Sequence, residues 1–233
     1  MRRELQAELM DDPQLDVREH VRALRGLARI NWLSGSARIL WPEIRRVARA
    51  SQKEPIKILD LACGGGDVLC QLYRNAKQAG LSLELQGWDS SPVAIEVARE
   101  RATAMGCSVE FQVHDVIQEA LPTDCDLITA SLFLHHLNEV TAVELLRKMA
   151  MATRQGLIIN DLRRSRIGYW LACVAPPLLT RSKVVHIDGP RSVEGAYTIA
   201  EVRALASRAG LKNVRVTPHW PQRYRLSWET KHA

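Results

Sequence analysis

Ile58-Leu59-Asp60-Leu61-Ala62-Cys63-Gly64-Gly65-Gly66-Asp67 is the stretch on which the reading of this chain turns. A short apolar run, Ile56 to Leu61, ends in a triple-glycine turn, and a helical pattern from Asp67 to Ala79 begins directly after it. Glycine suits such a turn because it adopts positive φ cheaply and leaves the backbone open to a ligand. The helix that follows would offer unpaired N–H groups and a partial positive charge to an anionic group. A dinucleotide fingerprint would need glycine or alanine at the position held by Leu69, so that pattern is incomplete. Asp60 and Asp67 also bracket the turn, and paired carboxylates repel a pyrophosphate but suit a ligand with sulfonium and ammonium groups.

Outward from this turn, strand and helix patterns alternate. Leu83 to Trp88, Val109 to Val113, Asp126 to Ser131 and Gly156 to Asn160 read as strands. Pro92 to Met105 and Val140 to Ala152 read as helices, with Pro92 at a first-turn position. This order predicts an α/β fold, a largely parallel sheet with helices on both faces and its ligand beyond the carboxyl ends of the strands. Near the end, a helix over Ile199 to Ala209 stops at Gly210. Val214 to Thr217 and Tyr224 to Trp228 then suggest a hairpin that adds one antiparallel strand. Asp89 and Asp115 fall at further strand ends, where one carboxylate can accept ribose hydroxyls and the other an adenine amino group between Val113 and Val116. The plainer alternative is that Asp60 caps its loop and Asp115 the next turn.

Asp60 through Asp67, Asp89, Asp115 and Ser131-Leu132-Phe133-Leu134-His135-His136-Leu137 together resemble the successive motifs of class I methyltransferases that use S-adenosylmethionine (SAM). The likeness covers about Ile56 to Leu211 and is nearest to the bacterial ubiquinone/menaquinone-type and small-molecule enzymes. It implies a Rossmann-like sheet of seven strands with the last antiparallel. It also implies SAM as cofactor, held by Asp60, Ala62, Gly64, Gly66, Asp67, Asp89, Ser90, Asp115, Val116 and Ser131. Ala62 stands where the family usually has glycine.

For catalysis, a neutral histidine is a suitable proton acceptor near pH 7. His135 and His136 at the fourth strand's end are the first candidates, and His186, in a loop-like segment from Lys183 to Pro190, is the next. Arg163, oriented by Asp161, together with Trp170 and His219 are candidate substrate contacts. No His/Asp/Glu cluster has metal-ligand spacing, so no metal is expected.

The 233 residues, 46% of them hydrophobic, suit one catalytic domain over 53–233, preceded by a helical segment over 1–52 that would cover the active site. The first dozen residues are polar and expected to be poorly ordered. From Leu15 to about Ala50 the pattern is helical, with Val17, Val21, Leu24 and Ala28 on one face and Arg18, Arg22, Arg25 and Arg29 on the next. Gly35 and Pro42 are expected to break it. A loop is expected at Lys53 to Pro55. Near 163–198 an apolar insert, Ile167 to Leu179, is flanked by arginines and interrupted by Pro176-Pro177. It reads as a lid over an apolar pocket, with a buried core helix or weak contact with a membrane surface as alternatives.

Five cysteines without a Cys-x-x-Cys pair, and no secretory pattern, point to a cytoplasmic protein with reduced thiols. A net charge of +6 without interleaved aromatics gives no support for nucleic-acid binding. The expected activity is methylation of a hydrophobic small molecule at an oxygen of a phenolic, quinol or polyketide-like compound. Carbon methylation of a similar aromatic and a non-catalytic SAM-binding protein are the alternatives.

Overall fold

A computed structural model describes residues 1–51 and 54–230. The boundary at 52/53 and the start of the loop at Lys53 lie outside the described residues. Strand β1 (Ile56–Leu61) alternates its side chains between two apolar layers: Ile56 and Ile58 face one, Leu59 and Leu61 the other. Burial on both faces is why the strand reads as a continuous apolar run. Around it stand β2 (Leu83–Asp89), β3 (Glu110–Val113), β4 (Cys125–Ser131), β5 (Thr153–Leu162), β6 (Arg215–His219) and β7 (Arg223–Glu229), in the order β3-β2-β1-β4-β5-β7-β6. The first five strands pair in parallel, and β7 runs antiparallel to both β5 and β6. The hairpin predicted from sequence is therefore present, with β7 inserted between β5 and β6.

Helices α1 (Val17–Ser34), α2 (Ser36–Ala50), α3 (Asp67–Ala79) and α4 (Pro92–Met105) precede α5 (Glu139–Ala152), α6 (Arg166–Leu179), α7 (Lys183–Gly195) and α8 (Ile199–Arg208). The layer on one sheet face holds α2, α3 and α4 through Leu40, Ile44, Leu69 and Ile95; the opposite layer holds α5 and α8 through Leu146, Met149, Val202 and Leu205. Ser91 caps α4 by accepting from Ala94 N–H, Pro92 occupies its first turn, and Gly106 closes it in a left-handed conformation.

Several sequence expectations are corrected. Gly35 separates α1 from α2, but Pro42 lies inside α2, whose Leu40, Ile44 and Val47 anchor it to the sheet on both sides of the proline. Pro176 and Pro177 do not interrupt the apolar insert, because they fall near the C-terminus of α6, which continues to Leu179. The carbonyl of Ala172, which loses its i+4 donor to Pro176, lies against Gly189 of α7, where a Cβ would sit 3.3 Å from that oxygen. The segment from Lys183 to Pro190 is the first part of α7 and not a loop. Nor are the first dozen residues loose. Arg3 donates to the carbonyls of Gly195 and Leu137, Asp188 accepts from Leu9 and Met10 N–H, and Glu8 accepts from the Ser192 hydroxyl. These polar side chains are satisfied by one specific surface, so the polarity that suggested disorder serves instead to strap the segment down. No helix among the described residues is long and apolar enough to cross a membrane.

Candidate functional site

A cleft of about 670 Å³ opens at the carboxyl ends of β1, β2, β3 and β4. Its floor is the glycine turn. Ala62 (φ 51°) and Gly64 (φ 52°) both adopt positive φ there. A Cβ on Gly64 would meet only Leu24 of α1, at 3.9 Å, so that glycine faces open cleft. Gly66 has a different task. It does not line the cleft, and a Cβ there would fall 2.8 Å from Phe111 and 2.9 Å from Ala98, so its absence lets α3 pack on β3 and α4.

Three carboxylates converge on this floor. Asp60 is buried, accepts from the Thr129 hydroxyl at 2.6 Å, and is pushed up to about 7 by burial and by the charges of Asp67 and Asp89. Asp67 is raised chiefly by burial, against the opposing pull of Arg101, 3.8 Å away, and of Asn31. Asp89 accepts from Gly64 N–H at 2.8 Å and Ser91 N–H at 2.9 Å, and burial raises it too. A group that carries positive charge and donates hydrogen bonds would relieve all three. The hydroxyl of Ser131, which lines the same cleft, is buried without a hydrogen-bond partner among the described residues. Orphaned polar groups and unneutralised acids are what a polar cationic ligand would satisfy.

The sequence-derived cofactor set is thus gathered with one exception: Asp60, Ala62, Gly64, Asp67, Asp89, Ser90, Asp115, Val116 and Ser131 line the cleft, and Gly66 does not. One oxygen of Asp115 accepts from Ile117 and Gln118 N–H, the turn-capping role offered as its plainer reading. Val113 is 46% exposed and outside the cleft; Ile117 stands beside Val116 instead.

The two adjacent histidines part company. His136 lines the cleft with Nδ1 3.1 Å from Asp11. His135 points into the protein, with Nδ1 2.7 Å from Asp161 and Nε2 3.6 Å from Glu8. Burial alone would lower its pKa, but Asp161 and Glu8 outweigh burial and push it up to about 10. Asp161 is therefore spent on His135, not on Arg163 as expected; Arg163 instead donates to Gln222. Glu8, His135 and His136 bring potential metal-ligand atoms within 4.8 Å of one another, a grouping invisible to local spacing because Glu8 arrives from the far end of the chain.

The remaining candidates lie elsewhere. His186 sits on α7 with Nε2 2.8 Å from the Thr180 carbonyl, and His219 pairs with the Thr217 hydroxyl on β6. Trp170 is 62% exposed on α6, and no residue of that helix lines the cleft. The insert is thus neither a buried helix nor a wall of this pocket.

The cleft's outer wall is α1, through Val17, His20, Leu24, Leu27 and Asn31. Sequence reasoning missed His20 and Asn31, although polar residues interrupting an i, i+3, i+7 apolar stripe were the available signal. Glu8 and Asp11 had no such signal.

Comparison with known proteins agrees with this geometry. A methyltransferase domain model matches residues 58–156. A demethylmenaquinone methyltransferase of Thermus thermophilus is 39% identical over 90 residues, 39% of this chain and 38% of that protein. A ubiquinone biosynthesis O-methyltransferase of Thiobacillus denitrificans is 25% identical over 163 residues, 69% of this chain and 66% of that one. The matched stretch spans 26% to 42% of the length of three such curated relatives. Among solved structures, a SAM-dependent methyltransferase from Aquifex aeolicus shares the fold with a TM-score of 0.61 at 21% identity, covering 93% of this chain and 99% of that chain. On its motifs, its sheet order and these matches, residues 58–156 resemble a methyltransferase domain, and the chain is similar to SAM-dependent methyltransferases, whose cofactor is S-adenosylmethionine.

Proposed function

We propose that this chain transfers the methyl group of SAM to an oxygen of a hydrophobic small molecule of phenolic, quinol or polyketide-like type. The observation that carries the reading is the cleft floor, where three carboxylates and an unpartnered serine hydroxyl surround a glycine turn. Asp60 and Asp67 neutralise the cationic end of the cofactor, and Asp89 accepts from the ribose hydroxyls with the lone pairs that Gly64 and Ser91 leave free. Asp115, Val116 and Ser90 take the nucleoside end, and Ser131 meets the methionine side. When bound, SAM supplies an activated methyl group.

What the chain adds is alignment, exclusion of water and proton transfer. Asp11 accepts from His136 Nδ1–H, and Nε2, 3.9 Å from Glu8, would take the acceptor's hydroxyl proton during transfer of the methyl group that SAM would supply. His135, held protonated between Asp161 and Glu8, positions the loop and is not the base. The names of the menaquinone and ubiquinone relatives support an aromatic acceptor. The test pairs calorimetric titration with S-adenosylhomocysteine (SAH) with a screen of phenols and quinols using methyl-labelled SAM. Label recovered as an aryl methyl ether supports the proposal; label recovered only on ring carbon, or only on protein or RNA, overturns it.

A further inference from the structure

Helix α6 carries an apolar stripe that nothing among the described residues covers. Ile167, Trp170, Val174 and Leu178 recur at i, i+3, i+7 and i+11 and are 59%, 62%, 39% and 79% exposed. Four large apolar residues aligned on one helix face form a patch, which isolated surface residues do not. Beside it runs a row of cations. Arg18, Arg22, Arg25 and Arg29 recur at i, i+4, i+7 and i+11 along α1 and share a groove with Leu178 and Arg181 at the end of α6. The two helices meet closely because Gly26 has no side chain: a Cβ there would lie 2.4 Å from the Thr180 hydroxyl. Arg22 pairs with Glu19, while Arg18, Arg25, Arg29 and Arg181 are exposed and make no ion pair among the described residues.

From this juxtaposition we infer that the α1–α6 face docks on an anionic lipid bilayer, with the α6 stripe entering the interface and the arginine row on the headgroups. At 14 residues α6 is about 21 Å long at 1.5 Å per residue, short of the roughly 30 Å hydrocarbon core, so it lies in the interface plane. Tryptophan is favoured at that depth, and long arginine stems let apolar side chains sink while the charge stays at the headgroups. A second copy packed face to face about a two-fold axis would set unpaired arginines against arginines. A nucleic acid would match the cations but leave the apolar stripe in water. A lipid surface matches both. The placement also bears on the cleft. Helix α1 shows its arginines to the groove and Val17, His20 and Leu24 to the cleft, so one helix separates membrane from reaction chamber.

The experiment is vesicle co-sedimentation of the full chain with phosphatidylcholine alone and with added phosphatidylglycerol. Binding that needs the anionic lipid is expected, with a blue shift of tryptophan emission that Trp170→Phe diminishes. Leu178→Asp should abolish sedimentation, and Arg25→Glu with Arg29→Glu should weaken it by more than about fivefold per site. All these positions are exposed, and unchanged SAH binding by calorimetry certifies that each variant is folded. Equal binding to neutral and anionic vesicles, no binding to either, or variants that sediment like the parent would each overturn the inference. So would a concentration-dependent dimer that Leu178→Asp dissociates, since the face would then be an interface between copies.

Discussion

Asp60→Asn isolates the electrostatic cost of the cleft floor. In the folded protein Asp60 is raised from 3.8 to about 7, with burial first among the causes and the neighbouring Asp67 and Asp89 adding to it. In the unfolded chain the group ionises near its ordinary value. Between these two values the folded state holds a proton that the unfolded state has released, so stability falls as pH rises and levels off above about 7. At about 1.4 kcal/mol per unit, the full span is worth roughly 4 kcal/mol. About 2 to 3 kcal/mol of it falls between pH 5 and 8. Asparagine keeps the shape and an acceptor for the Thr129 hydroxyl but cannot ionise. Denaturant unfolding of both proteins without ligand, from pH 5 to 8, should show Asp60→Asn gaining on the parent by that amount. With SAH present the order reverses, because the cofactor's ammonium group rewards the charge. Binding to the parent at pH 7 should also release roughly half a proton, seen as a buffer-dependent enthalpy. A stability difference that stays constant across this pH range would refute the reasoning, since Asp60 would then be ionised without a ligand.

Other substitutions separate roles within the site. Asp89→Ala removes charge-assisted hydrogen bonds worth about 1.5 to 3 kcal/mol each and should weaken SAH binding at least tenfold by calorimetry, with a lower melting temperature because Gly64 and Ser91 N–H lose their acceptor. His136→Ala should lower kcat by about 10² to 10⁴ while leaving SAH affinity within threefold, roughly 0.6 kcal/mol. His135→Ala should instead destabilise the fold by about 3 to 5 kcal/mol in denaturant unfolding, because it strands Asp161 and Glu8 without their cation. Dialysis against a chelator should leave turnover and melting temperature unchanged; a loss restored by a divalent metal would show that Glu8, His135 and His136 hold an ion.

Local patterns revealed the sheet because its central strands β1 and β4 are short and apolar, and burial on both of their faces leaves little ambiguity. They brought together the carboxylates of the cleft for a related reason: Asp60, Asp89 and Asp115 all sit at or just beyond strand ends, where topology alone collects them. Gly66 falls outside the cleft lining, and a glycine that lets a ligand approach and one that lets a helix pack look alike until Phe111 and Ala98 are in place. The partnership of His135 with Glu8 could not be read, since its members lie more than a hundred residues apart and no periodicity links them. Arg163 and Asp161 show the converse error: two residues apart they would share one face of a strand, but β5 ends at Leu162, and Asp161 is taken by His135 while Arg163 donates to Gln222.

The N-terminal strap orders events in time. Residues 1–12 leave the ribosome before the rest of the fold, and their seat on α7 and on the loop after β4 is built from residues well over a hundred positions later. They must therefore wait, solvated and unpaired, until most of the chain has emerged, and a contact spanning so much sequence is slow to close. The charges of the strap suit that wait: Arg2, Arg3, Glu4, Glu8, Asp11 and Asp12 keep it solvated until Leu9 and Met10 can pack against Val184 and Val185. The loop that carries His136 would gain its final geometry only with this late step, so a newly made chain should bind nucleoside before it can turn over.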